Sequence, residues 1–287
     1  MKIGITCYPT FGGSGVVATE LGVALASLGH EVHFISYAWP SRLGVLHERV
    51  RFHEVTVTPY PLFDAYPPYT LALATKMAEV ADYEDLDILH VHYAIPHAIS
   101  AFLAKQIHPE MKVVTTLHGT DITLVGSDAS YLPLTRFGIE VSDGVTAVSE
   151  WLREETVRSI GVNKEIKVIP NFVDPSRFNG SENRIEATRR WASGDEKLIG
   201  HASNFRPVKR VGDILAAFER VQREIPSRLL MIGDGPERSR AEAWAELAVL
   251  LADDPDADAK DGLRAARRAV ALDSSEAHVQ RAMCIAA

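Results

Sequence analysis

The sequence predicts an α/β protein whose N-terminal part is a parallel, doubly wound sheet. Three observations carry this. Short apolar, β-branched runs alternate with stretches of helical spacing from Met1 to about Asn171. The first run passes through a glycine-rich turn straight into a helix. The chemically distinctive side chains fall just after the apolar runs, where sheets of this kind hold ligands.

Taken in order, Ile3, Ile5 and Cys7 alternate along a first strand that runs to Thr6 and is stopped by Pro9. Gly12-Gly13-Ser14-Gly15 then turns without Cβ obstruction, and Val16 to Leu28 has helical spacing. Such a turn directs free backbone N–H groups and a helix N-terminus at an anion. It is neither the dinucleotide Gly-x-Gly-x-x-Gly pattern nor a P-loop, which needs Lys-Ser/Thr after the glycines. On the loop alone, a tight turn that merely requires small residues explains the glycines equally well. Gly29 caps the helix, and Glu31–Ser36 is a second strand. Val50–Val57 is a third strand, Pro67-Pro68 opens a helix to about Ala81, and Asp87–His92 is a fourth strand. A helix over Pro96–Gln106, a strand over Lys112–Leu117 and a strand over Gly144–Val148 follow. A helix from Glu150 to Ile160 and a strand over Ile166–Ile169 close the series.

Polar residues mark the strand ends. His90, His92 and Tyr93 end the fourth strand, Leu117-His118-Gly119-Thr120-Asp121 follows the fifth, and Asn171 follows the last. For His90 and His97 the preferred reading is a packed, hydrogen-bonded core histidine. For His118 it is an exposed imidazole, because Gly119 beside it lets backbone approach a ligand.

A second unit begins near Asp195. Lys197–Ser203 reads as a strand, Val211–Glu224 as a helix and Ser227–Ile232 as a strand ending in Gly233-Asp-Gly-Pro236. Arg206 and Lys209 sit in the strand–helix turn with Arg210 beside them. Solvated surface charge is the usual role of such residues. At this position a diphosphate clamp is preferred, Arg acting by its fork geometry and Lys as a point charge.

The 287 residues suffice for two modest domains, and 46% hydrophobic with 24% charged residues is an ordinary globular composition. A net charge of −8 argues against a general nucleic-acid binder. Two cysteines, Cys7 and Cys284, offer no disulfide framework. The absence of a signal-like N-terminus or a spanning apolar run leads to an expected cytoplasmic location without membrane attachment.

Several stretches together resemble one family: Met1 to Thr10, Gly12 to Leu21, Gly29 to Phe34, Thr116 to Asp121, Ile169 to Asp174, Asn204 to Arg210 and Gly233 to Glu237. It is the N-acetyl-α-D-glucosaminyl L-malate synthase family of bacillithiol biosynthesis, retaining glycosyltransferases of the GT-B fold, and the resemblance covers about residues 1 to 243. It implies transfer of GlcNAc from UDP-GlcNAc to L-malate with retention, without a cofactor or essential metal. It implies a Rossmann-like acceptor-side domain over 1–172 and a nucleotide-sugar-side domain over 173–240. Residue by residue, it places Gly13, Ser14 and Gly15 beside the acceptor and the donor phosphates. Tyr93, Thr116 and Arg136 become acceptor contacts, with Arg136 facing a malate carboxylate, and Thr120 and Asn171 complete the substrate-binding set. His118 stands near the reacting sugar, and Arg206 with Lys209 stabilises the departing diphosphate.

The chain departs from the family after Glu237. The family's paired glutamates, eight positions apart, do not occur beyond residue 180; the nearest pair is Glu246 with Asp254. The second domain is therefore expected to be truncated and activity impaired. Residues 241–287 instead resemble a tetratricopeptide fragment, with helices over Ala243–Leu251 and Asp261–Leu272 and a third from Glu276. The alternatives are an inactive binding or scaffold module whose tail contacts a partner, and a GT-B enzyme with another acceptor such as inositol phosphate. A homodimer is left open.

Overall fold

The computed structural model describes residues 1–10, 12–44, 47–58, 61, 67–175, 191–192, 194–239, 242 and 283–285. The chain divides into two units, Met1–Val173 and Asp174–Ala287.

In the first unit β1 (Lys2–Thr6), α1 (Gly13–Ser27), β2 (Glu31–Ser36) and β3 (Val50–Glu54) are followed by α2 (Tyr69–Glu84) and β4 (Ile88–His92). A π-turn (Ala94–Ala98) leads into α3 (Ile99–Ile107), then β5 (Lys112–Leu117), α4 (Thr120–Thr123) and α5 (Leu132–Val141). β6 (Gly144–Ala147), α6 (Glu150–Glu155) with a second π-turn (Thr156–Ile160), and β7 (Lys167–Val168) complete it. The seven strands run in the order β3-β2-β1-β4-β5-β6-β7, and every pair is parallel. The order reverses between β1 and β4, the switch point at which doubly wound sheets bind ligands beyond the strands' carboxyl ends.

The central strands are buried on both faces, which is why they read as nearly continuous apolar runs. Ile3, Ile5, Val32 and Phe34 pack with Ala18 and Ala26 of α1. The alternating residues Ile35, Leu89 and Val91 pack with Leu73, Met77 and Val80 of α2 and Ala101 of α3. A third cluster joins Leu117, Ile139, Val145, Leu152 and Ile160. Gly22 sets the approach of α1 to the sheet, since a Cβ there would stand 2.4 Å from the Phe34 ring.

The sequence reading includes neither α4 nor α5, although Pro133 occupies the first turn of α5. The stretch read as a helix from Pro96 begins as a π-turn after a cis Ile95–Pro96 bond, and its regular part starts at Ile99.

In the second unit β8 (Lys197–Ala202), a 3₁₀ turn (Pro207–Lys209), α7 (Val211–Glu224) and β9 (Ser227–Ile232) form a strand–helix–strand unit, with β8 and β9 parallel. Val211, Leu215 and Phe218 of α7 pack on Phe205, Leu229 and Met231. The helices expected over 243–251 and 261–272 lie outside the described residues. The third helix expected from Glu276 is corrected where it is described: Met283–Ile285 is a strand, β10, antiparallel to β9. β9 has an edge left open by β8, and an apolar tripeptide satisfies its backbone groups there.

Candidate active site

The site is built at the switch point from the ends of β1, β4 and β5. β1 feeds the glycine turn that opens α1. Gly15 is required by packing, because a Cβ there would stand 2.4 Å from the Tyr8 carbonyl oxygen and 2.7 Å from that of Thr10. Gly13 is exposed, and a Cβ on it would meet nothing within 4 Å. Its smallness is not demanded by the protein's own packing. Ser14 is buried and its hydroxyl donates to the Tyr93 hydroxyl at 3.1 Å, tying the turn to the end of β4.

β4 supplies a ladder of rings. The two-residue period puts His90 and His92 on one face, with ring centroids 4.7 Å apart. His118, just beyond β5, continues the stack with its centroid 5.0 Å from that of His92. His92 Nδ1 and His118 Nε2 share a 2.8 Å hydrogen bond. His90 Nε2 meets the Thr116 hydroxyl at 2.7 Å, and Thr116 meets the Thr146 hydroxyl at 2.7 Å. His97 is fully buried and donates from Nδ1 to the His92 carbonyl at 2.5 Å, the packed role preferred from sequence. Burial pushes His90, His97 and His118 down to about 4, with His90 adding its repulsion at His118. Burial, with repulsion from His90, His118 and His97, holds His92 well below the ordinary imidazole value. At neutral pH the ladder is a set of uncharged imidazoles, able to donate and accept but not to act as cations.

The expectation of an exposed His118 is corrected: it is half-buried, because stacking on His92 and a tilted contact with Tyr93 (centroids 5.5 Å apart) hold it in the ladder. Gly119 has φ +116°, a conformation that favours glycine, so the turn after His118 needs it. Tyr93 has φ +92°, strained for a residue with a side chain, and its N–H is satisfied by the Thr116 carbonyl at 2.9 Å.

Sequence reading passed over the residue that holds these loops together. Asp121 is 1% exposed, and its carboxylate accepts hydrogen bonds from the backbone N–H groups of Ala94 (3.0 Å), His118 (3.1 Å) and Gly119 (2.9 Å). Burial raises its pKa, and those three donors work against the rise. An acidic residue two past Gly119, in the first turn of a short helix, was the available signal. Tyr8 was also missed; its ring packs on Tyr93 and His97.

The structure thus gathers Ser14, Tyr93, Thr116 and His118 into one network. Gly13 and Thr120 stand exposed at the starts of α1 and α4, and Asn171 is exposed after β7. Arg136, on α5, is also exposed and donates from Nε to the Ile160 carbonyl at 2.7 Å. That bond orients the guanidinium plane and leaves its Nη edge for another acceptor. In the second unit, Arg206 precedes and Lys209 ends the 3₁₀ turn after β8, both exposed and without a side-chain hydrogen bond or ion pair among the described residues. Arg210 pairs with Asp213. The glycines of Gly233-Asp-Gly235 are explained by contact with this turn. Cβ atoms on them would stand 1.8 Å from the Ser203 carbonyl oxygen and 2.1 Å from that of Asn204.

A doubly wound sheet with polar residues converging at its switch point, joined to a unit that presents free cations at a strand–helix turn, defines the class as α/β proteins of the GT-B type. Comparison with known proteins makes this specific. The model of glycosyltransferase family 4 matches residues 11–177, and the chain belongs to that family. It is 56% identical over 239 residues to N-acetyl-alpha-D-glucosaminyl L-malate synthase of Bacillus anthracis, covering 83% of this chain and 62% of that protein. It is 27% identical over 255 residues to the phosphatidylinositol N-acetylglucosaminyltransferase gpi3 subunit of Schizosaccharomyces pombe, covering 85% of this chain and 52% of that one. The chain therefore spans about half to three fifths of these relatives' lengths. Among solved structures, sucrose-phosphate synthase from Thermosynechococcus elongatus aligns with TM-score 0.62 at 17% identity, over 88% of this chain and 67% of that one. Anabaena Alr3699/HepE in complex with UDP-glucose aligns with TM-score 0.63 at 16% identity, over 88% and 66%. These two likenesses establish the fold. No helix among the described residues is long and apolar enough to cross a membrane.

Proposed function

We propose that this chain is a malate GlcNAc-transferase, moving GlcNAc from UDP-GlcNAc to the hydroxyl of L-malate with retention at the anomeric carbon. The observation that carries the proposal is the 56% identity to the Bacillus anthracis L-malate synthase over 83% of this chain. The site geometry supports it. Arg136, oriented by Ile160, has a free bidentate edge suited to a carboxylate. Tyr93 and Ser14 offer hydroxyls beside the open backbone at Gly13. Thr116, Thr120, Asn171 and the backbone of Gly15, whose lack of a side chain packing already requires, complete the proposed substrate contacts. His118, held neutral, can hydrogen-bond a sugar hydroxyl without placing a positive charge against the electron-poor anomeric carbon. Arg206 and Lys209 are the proposed partners of the diphosphate, whose leaving oxygen gains charge as the C1–O bond breaks. In a front-face reaction the malate hydroxyl attacks from the side the diphosphate leaves, giving its proton to a phosphate oxygen. No protein nucleophile is needed. Catalysis is then positioning and charge stabilisation.

The test is UDP release from UDP-GlcNAc with and without L-malate, with the product's anomeric configuration read by NMR. Malate-dependent release of an α-linked product is expected, slowed because the paired glutamates eight positions apart do not occur beyond residue 180. His118→Ala and Arg206→Ala are each expected to lower kcat by roughly 10²–10³. Arg136→Ala should weaken malate binding while leaving UDP binding largely unchanged. Release driven by inositol phosphate and not by malate would overturn the acceptor assignment. Binding of UDP and malate with no turnover would favour the binding-module alternative.

A further inference from the structure

On the face of the sheet covered by α2, away from the histidine ladder, a second group of side chains converges. His33 and Ile35 lie on the same face of β2, and Ile35 packs against α2. His53 of the edge strand β3 pairs in register with Ile35, so its ring falls diagonally beside His33. The two rings stack with centroids 5.3 Å apart, and His33 Nδ1 lies 3.0 Å from His53 Nε2. Glu84, the last residue of α2, completes the group: one ligand atom from each of His33, His53 and Glu84 lies within 4.8 Å of the other two. Glu84 is held there by its own backbone, whose carbonyl accepts from Lys2 Nζ at 2.7 Å.

We propose that His33, His53 and Glu84 bind one divalent transition-metal ion, zinc being the best fit, which pins the edge strand β3 to the end of α2. Two imidazole nitrogens and one carboxylate are a donor set for zinc and do not suit magnesium or calcium, which take oxygen ligands. Two nitrogens each about 2.0–2.1 Å from a tetrahedral zinc stand roughly 3.3 Å apart, close to the 3.0 Å observed. The His33 ring is 0% exposed, and its Nε2 has no hydrogen-bond partner; Glu31 Oε1 lies 3.6 Å away. With its proton on Nε2, His33 turns the Nδ1 lone pair towards His53 Nε2, 3.0 Å away. Burial lowers the pKa of both imidazoles, so they are neutral and ready to ligate at neutral pH. Arg51 and Lys76 oppose a cation here, while Glu31, Glu79 and Glu84 favour one. His53 and Glu84 are half-buried and provide the entry path. Binding moves the His53 proton from Nε2 to Nδ1 and requires no oxidant or other co-reactant.

The experiment is calorimetric titration of the metal-stripped full chain with zinc chloride alone, alongside thermal melts with and without zinc. One zinc per chain and a raised Tm are expected, with no comparable response to magnesium. Since even outer-shell substitutions weaken metal sites ~10–100-fold, His53→Gln and Glu84→Gln are each expected to weaken binding by ~100-fold or more. The variants' metal-free circular dichroism and Tm are compared first. If His53→Gln does not fold, Glu84→Gln alone carries the test. Cobalt substituted for zinc should show tetrahedral visible absorption that is lost in Glu84→Gln. No zinc binding by the parent chain, undiminished binding in Glu84→Gln, or equal binding of magnesium would each overturn the proposal.

Discussion

Asp121 shows how one buried carboxylate can shape a site it need not touch. Its oxygens collect N–H groups from the turn after β4 and from the turn after β5, so it welds the two loops that carry Tyr93 and His118. Asp121→Ala leaves those donors unsatisfied at ~1–3 kcal/mol each, so a stability loss of about 3 kcal/mol or more is expected in urea denaturation. A loss below about 0.5 kcal/mol, the range of ordinary surface substitutions, would remove Asp121 from this role. The histidine ladder makes a separate prediction. Burial pushes His90, His97 and His118 down to about 4 in the folded chain against 6.5 when exposed, and it lowers His92 well below 6.5 too. Between those values the unfolded chain binds more protons than the folded one, so stability falls as pH drops from 6.5 towards 4. Each such histidine contributes about 1.4 kcal/mol per pH unit inside its window. Unfolding free energies measured at pH 7.5, 6 and 5 should therefore decline steeply below 6.5. A flat profile would mean the ladder is not buried and neutral.

At the scale of elements, the turn between β1 and α1 separates glycines that serve packing from glycines that serve a ligand. Gly15 faces backbone oxygens that a Cβ would strike, so Gly15→Ala should destabilise the chain by about 1–3 kcal/mol through overpacking. Gly13 faces open space in the first turn of α1, and Gly13→Ala should leave stability unchanged or raise it by up to about 1 kcal/mol. If a substrate lies against that backbone, the same change must weaken its binding. Melting curves paired with UDP and malate titrations read both effects. Full affinity in Gly13→Ala would show that no ligand approaches there. The same element logic accounts for the ladder: β4 places His90 and His92 on one face by its period, and β5 delivers His118 to extend the stack.

At the scale of the molecule, the first unit closes its own core, with apolar clusters on both faces of the seven-stranded sheet. A fragment of residues 1–173 is therefore expected to fold by itself, with one cooperative thermal transition and native-like near-ultraviolet circular dichroism. A fragment without such a transition would show that its core depends on the rest of the chain. The second unit is covered differently. α7 buries Leu229 and Met231 of β9, while β8 remains largely exposed along its length, with Ile199 at 38%.

The sequence by itself determined the strands and most helices of the first unit, because apolar alternation and punctuation by Gly and Pro are local signals. Strand ends legible from the order of elements marked Tyr93 and His118, and the family resemblance added Ser14 and Thr116. Local pattern did not reveal α5, whose buried face is short, nor the strand at Met283–Ile285, which exists only because β9 has an edge to offer. Tertiary structure alone decided that His118 is stacked rather than free, and that Asp121 bridges two loops 27 positions apart. It also brought His33, His53 and Glu84 within reach of one ion. Each of these depends on which chain segments the sheet brings side by side. Register and strand order, which arise from packing the whole core at once, decide that.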